Sequence, residues 1–184
     1  MKRIQPGSLV AKEQFELVGN SPDAWRSVAA DLLVASEALE RLCRQAATSD
    51  RRHVNQRLRG RVGKITLMLR GMAIECLLKS AWIKRGNKLV VRGQFHAPIK
   101  GRSHHLPTLA SAAKFPLSQD ETFLTERLSH FIEYGGRYPV PRTEQTLCLV
   151  KDPKGGYSAA TTWSVPTDDR LFRNLVRRIR STAG

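Results

Sequence analysis

Between Leu67 and Gly86 the chain reads LMLRGMAIECLLKSAWIKRG. The stretch is apolar enough to be the middle of a core, and its length and composition suit a buried helix. Yet it carries Arg70, Glu75 and Lys79, and charge inside a core is costly unless it is paired. At about 100° per residue, Glu75 and Lys79 form an i, i+4 pair in the favourable order and can neutralise each other. Arg70 lies roughly opposite Lys79 and has no partner on its own helix. It reaches solvent, another segment or a ligand. The helical pattern extends upstream to near Val54 and runs to about Lys84. Gly60, Gly63 and Gly71 sit within it, each costing about 1 kcal/mol relative to alanine. Glycines there imply a close helix–helix approach or a bend.

Other helices follow from start signals and spacing. Ser21, Pro22 and Asp23 make a good N-terminus, and Trp25, Val28, Leu32, Ala35, Leu39 and Leu42 recur at helical spacing to about Ala47. Between that helix and the next, from Arg41 to Arg61, lies the densest run of arginine in the chain. KRGNKLVVRGQFHAPIKGRSHH reads as a loop, with LVV as a short strand at most. LPTLASAAKF is a short helix that tolerates Pro107 in its first turn. Ser118–Glu121 is a capping box, opening a helix that carries Phe123, Leu124, Leu128, Phe131 and Ile132 and ends at Gly135–Gly136. Beyond YPVPR, TLCLV and SAATTWSV alternate around KDPKGG, which predicts a β-hairpin at about 145–165. A last helix buries Leu171, Phe172, Leu175, Val176 and Ile179 and turns Arg170, Arg173, Arg177 and Arg180 the other way. The expected architecture is all-α: a four- to five-helix bundle over 21–142, an arm without periodicity over 1–20, and a small hairpin plus a basic C-terminal helix over 143–184, packed on the bundle.

A chain of 184 residues, 41% hydrophobic, can bury a sizeable core. Its formal net charge is +15, a balance that favours polyanions such as RNA, DNA or nucleotides. Aromatic residues are only 7%, which argues against a broad base-stacking platform. Cys43, Cys76 and Cys148 lie far apart with neither metal-ligand spacing nor an even count, so a disulfide scaffold is not expected. MKRIQPGSLV has a basic start with no apolar run behind it, so neither a signal peptide nor a membrane span is expected, and the cytoplasm is the expected compartment.

The candidate site residues each have a functional and a structural reading. His104 and His105 open a helix, where they serve as a phosphate or acid–base contact or as a cap with a buried ring. No acid or second histidine has metal spacing to them, and no cofactor is expected. Arg127 and His130 share a face at i, i+3. Arg137 and Tyr138 lie in a stiff turn, GGRYPVPR, that either offers Arg137 to a phosphate or pins the chain across the bundle. The arginine face of the last helix is either simply solvated or runs along a phosphate backbone. There is no nucleophile elbow, phosphate-binding glycine loop or paired-carboxylate signature.

Taken in order, RGMAIECLLKSAWIKRG, a loop, HHLPTLA and a capped helix ending GGRYP resemble a HEPN domain over roughly residues 21–142. In that family the A-x-E-x-L-L-K element sits on the second helix, matched here by Ala73, Glu75, Leu77, Leu78 and Lys79. The His-x-Leu start of the next helix is matched by the His104–Leu106 region. The resemblance implies a helical bundle, usually dimeric, from prokaryotic toxin–antitoxin, abortive-infection and RNA-processing systems. It implies a module that binds RNA or a nucleotide in a defence or stress system, with a homodimer and a cognate partner protein. On this reading Arg70, Lys79 and Arg137 meet phosphate, His104 and His105 hydrogen-bond, and Tyr138 packs or stacks. Catalytic members carry an arginine followed a few residues later by a histidine near the end of the bundle. Here Arg127 and His130 stand closer together than that, and no histidine follows Arg137. The departure favours a binding role over the alternatives: a metal-independent endoribonuclease using Arg127 and His130, or a non-catalytic protein-interaction subunit using the arm and the hairpin.

Overall fold

The computed structural model describes residues 9–47, 52–99, 104–138, 150–153, 155–158, 163 and 166–182. Its axis is the long helix expected around the 67–86 stretch. Counting along the chain, α1 spans Leu9–Gly19, α2 Pro22–Ala47 and α3 Arg52–Lys84. At 33 residues α3 is about 50 Å long. From Arg70 to Ile83 nearly every side chain on it is buried, on all sides. That happens because α2 lies along one side while α4 (Leu106–Ala112), α5 (Gln119–His130) and α6 (Thr167–Thr182) cover the others. Ile74, Leu77 and Leu78 of α3 meet Leu106 and Leu109 of α4, Leu124 and Leu128 of α5, and Phe172, Leu175 and Ile179 of α6 in one core. The last helix is therefore built into that core. No helix among the described residues is long and apolar enough to cross a membrane.

The local start signals are realised. Ser21 Oγ accepts from Ala24 N at the head of α2. Ser118 and Glu121 form the reciprocal capping box of α5. His105 caps α4, its side chain accepting from Thr108 N, and the Leu106 amide donates to Ser129 Oγ on α5. The last turn of α5 widens into a π-turn over Phe131–Gly135 before Gly136. Gly71 serves close approach: a Cβ there would stand 2.8 Å from Ile132 Cγ1 and 3.1 Å from Leu128 O.

Three expectations are corrected. Leu9–Gly19 is helical rather than an irregular arm, although none of its residues is buried. Of the stripe expected on α2, Trp25 and Leu32 pack inward, joined there by Ala29, Leu33 and Ser36, whereas Val28, Ala35 and Leu42 are exposed. The helix is apolar on two sides, and Ser36 can face inward because its hydroxyl donates to Leu33 O. Finally, the antiparallel pair joined to the bundle lies at 90–95, within the segment read as a loop, not near the C-terminus. There β1 (Val90–Val91) pairs with β2 (Gln94–Phe95), Val90 opposite Phe95. Asn20 fixes it: Oδ1 accepts from Leu89 N and Val90 N at 2.7 and 2.9 Å, and Nδ2 donates to Val90 O at 2.7 Å. In the expected hairpin region β3 (Val150–Lys151) pairs with β4 (Tyr157–Ser158). The rest of 145–165, apart from 152, 153, 155, 156 and 163, lies outside the described residues, as do the side chains of the arginine-rich run from 51 to 61.

Candidate nucleic-acid interface

The charges inside α3 are all answered. Lys79 Nζ lies 2.5 Å from Glu75 Oε1, and His104 Nδ1 lies 3.0 Å from Glu75 Oε2. The Lys79 ammonium sits over the rings of Trp25 and Phe95, 4.9 and 5.4 Å from their centroids, so the apolar wall around it also stabilises the cation. Burial works to raise the Glu75 pKa. The bond to His104 and the neighbouring Lys79 charge outweigh that, and the carboxyl is held below its ordinary value. Burial pushes the Cys76 thiol up to about 11, which keeps it protonated and unreactive.

Arg70 finds its partners on other helices. Nη1 donates to Asp169 Oδ1 at 2.7 Å and Nη2 to Glu40 Oε2 at 2.8 Å. Next to it, Arg127 grips Asp168 with both Nη atoms, at 2.9 and 2.7 Å. Asp168 and Asp169 occupy the first turn of α6, where the helix dipole favours carboxylates. Trp163 Nε1 donates to Asp169 Oδ1 at 3.1 Å, and its ring lies 5.3 Å from the Arg70 guanidinium carbon and 5.8 Å from that of Arg127. This clasp ties α2, α3, α5 and α6 together. It uses Arg70 and Arg127, both expected at the site, as internal partners.

The remaining candidates lie at the head of α4 and the end of α5. The rings of His130 and Tyr134 meet edge to face at 5.9 Å, and His130 Nδ1 is buried without a hydrogen-bond partner among the described residues. Burial, and secondarily His105, lower the His130 pKa against the opposing pull of Glu133 and Glu126. His105 Nδ1 lies 2.5 Å from Thr108 Oγ1. Arg137 donates to the carbonyls of Ile132 and Glu133 and lies over the Tyr138 ring at 5.6 Å. It closes the end of its own turn. No contact among the described residues joins Lys79, His105 and Arg137. Nor do any three His, Cys, Asp or Glu side chains cluster as metal ligands there.

Two features complete the surface. The first is an arginine row on α6. Arg170, Arg173, Arg177 and Arg180 are exposed, and their side chains make no ion pair or hydrogen bond among the described residues. Their spacing confines them to an arc of about 80° and a length of about 15 Å. Arg178, on another side, is taken by Glu121 and by the Pro116 carbonyl at 2.9 Å. The row was visible in the sequence as a periodic face, but nothing there distinguished it from arginines that pair internally. The second is a cavity of about 160 Å³ beside the clasp, between α2, α3 and the head of α6. Cys43, Gly63, Leu67, Arg70, Trp163 and Asp169 line it. No sequence signal marks the cavity, because its walls come from three distant segments. The chain matches no family model, no curated protein and no solved structure.

Proposed function

We propose that the chain is a non-catalytic helical module that binds RNA or a nucleotide through phosphate, with the outward face of α6 as its contact. One observation carries this reading: four exposed arginines in a single row, without partners among the described residues, on a chain of net charge +15. The interior cations support it by contrast. Arg70, Lys79 and Arg127 are each held by a carboxylate. A phosphate contact through those three would require breaking buried pairs, which is far costlier than using cations already facing water. The same arrangement weakens the ribonuclease alternative, since Arg127 presents both Nη atoms to Asp168. The HEPN resemblance adds a homodimer in a bacterial defence or stress system as the setting of this module.

The test is a titration of single-stranded RNA over a salt series. If all four arginines engage phosphates, log K falls against log salt with a slope of about −3. Replacing Arg173 and Arg177 by Gln makes the slope shallower by about 1.4. An unchanged slope in that variant removes α6 as the contact. A second reading has its own observation: α1 carries Leu9 and Leu17 at 77% and 74% exposure with Val10 and Val18 beside them. Such a face suits a protein-interaction subunit. Absence of RNA and nucleotide binding at low salt favours that reading.

A further inference from the structure

Among the described residues only two apart from glycine hold a φ in the left-handed region, and both are cations: Arg92 at +52° and Lys114 at +49°. Each stands where glycine or asparagine is the usual choice. Arg92 and Gly93, the latter at +73°, are the two central residues of the turn between β1 and β2, a left-handed pair that is most often Asn-Gly. Lys114 follows the α4 cap in a Schellman motif. Its amide donates to Ser111 O at 2.9 Å, and the Phe115 amide donates to Ala110 O at 2.8 Å. A residue with a Cβ is strained in both positions, and glycine is not. Both side chains are exposed and make no ion pair or hydrogen bond among the described residues, so no contact there offsets the strain. Strained backbone of this kind gathers where a side chain serves a ligand.

Both turns belong to one end of the bundle, where α3 finishes. Arg85, just past the last residue of α3, donates to the Lys114 carbonyl at 3.4 Å. Two residues on, Pro116 O accepts from Arg178, which stands between Arg177 and Arg180 along α6. The β1–β2 pair follows α3 directly and is anchored by Asn20. Arg85 and Lys88 are exposed there and make no ion pair among the described residues. Three carboxylates at this end are engaged: Glu16 accepts from the Gly93 amide, Asp23 pairs with Arg26, and Glu121 pairs with Arg178. We propose that Arg92 and Lys114 are phosphate contacts, and that the ligand is a polynucleotide strand crossing this end of the bundle from the α6 row. A mononucleotide brings its phosphate to one place, whereas cations on α6, after α4 and on the β1–β2 turn call for a chain of phosphates. This deepens the α6 reading and rests on it for the row's share of the strand only.

Glycine removes the charge and the strain together, which keeps the test clear of misfolding. In the full chain carrying Arg92→Gly with Lys114→Gly, the melting temperature is expected to hold or rise. A long uridine strand is expected to bind it more weakly, with a salt slope shallower by about 1.4, the share of two phosphates. Arg92→Lys with Lys114→Arg keeps both charges and should keep the slope. Uridine monophosphate should lose less affinity than the strand in the glycine variant. An unchanged slope in the glycine variant overturns the two contacts. So does a glycine variant that melts lower, or a charge-keeping variant that loses as much slope as the glycine one. Uridine monophosphate weakened as much as the strand overturns the polynucleotide. Arg173→Gln with Arg177→Gln reports on α6 separately. If that pair leaves the slope unchanged while the glycine variant loses it, the two turns stand and the row falls; the opposite outcome keeps the row and removes the turns.

Discussion

Arg127 and Asp168 show what a buried charge does when its partner comes from a distant part of the chain. Both side chains are more than nine-tenths buried, and the pair is bidentate. Arg127→Met leaves Asp168 buried without its main counter-charge, and urea denaturation is expected to show a loss of about 3–5 kcal/mol. Adding Asp168→Leu to that variant should restore much of the loss, because two apolar groups in the same space carry no desolvation penalty. Glu75 makes the pH-dependent case. Its folded pKa lies below the ordinary 4.5, so its stabilisation is complete above that value and is lost as pH falls through the lower folded one. Denaturation midpoints should decline below about pH 4.5, and Glu75→Gln should flatten that decline while lowering stability at neutral pH. The Glu75–Lys79 pair was legible because both partners sit one turn apart on a single helix. The partners of Arg70 and Arg127 lie as many as 99 residues away, and no local spacing announces them.

At the scale of elements, what could be read was what local chemistry encodes. Ser21 and Ser118 cap the helices they precede, Glu121 answers Ser118 from the first turn of α5, and the apolar spacing of α6 predicts its buried face. The misses share a cause: the determining contact is remote or absent. The 90–95 pair is held by Asn20, from the other side of α2 and α3, so its own sequence looks like a loop. α1 buries nothing, so no inward stripe marks it. For α2, two apolar stripes compete, and only the packing against α3 decides which faces in. Asn20→Ala should therefore act locally. The amides of Leu89 and Val90 lose their acceptor, at a cost of about 1–3 kcal/mol, and hydrogen exchange at those two positions should accelerate while the α3 core amides stay protected. Equal acceleration throughout would mean that the pair and the core open as one unit.

Over the whole molecule, the buried cations Arg70, Lys79 and Arg127 among the described residues are matched by at least as many buried carboxylates, so the formal excess of +15 is not offset inside. Self-repulsion of that excess predicts a melting temperature that rises on going from low to moderate salt. The same molecule exposes a second feature that polyanion binding does not explain. Val28, Ala35 and Leu42 recur every seven residues on the outer side of α2, with Ala38 between them and Val34 nearby. Val28 and Leu42 are 48% and 46% exposed, along a helix of 26 residues. Seven-residue spacing of apolar and small side chains is what lets two helices lie side by side. A second copy would suit this side: an isologous pairing of α2 with α2 would set each stripe against itself and bury the apolar residues of both, with the exposed Asp31 at its edge. Such a dimer would carry two α6 rows, which would also raise the affinity for a strand long enough to reach both. Sedimentation equilibrium should therefore report twice the chain mass, and Val28→Glu with Leu42→Glu should give a folded monomer. Those glutamates sit on a solvent-facing side of α2, so the helical signal should be retained. Monomeric wild-type protein, or a dimer indifferent to both glutamates, would place the α2 stripe outside any self-association.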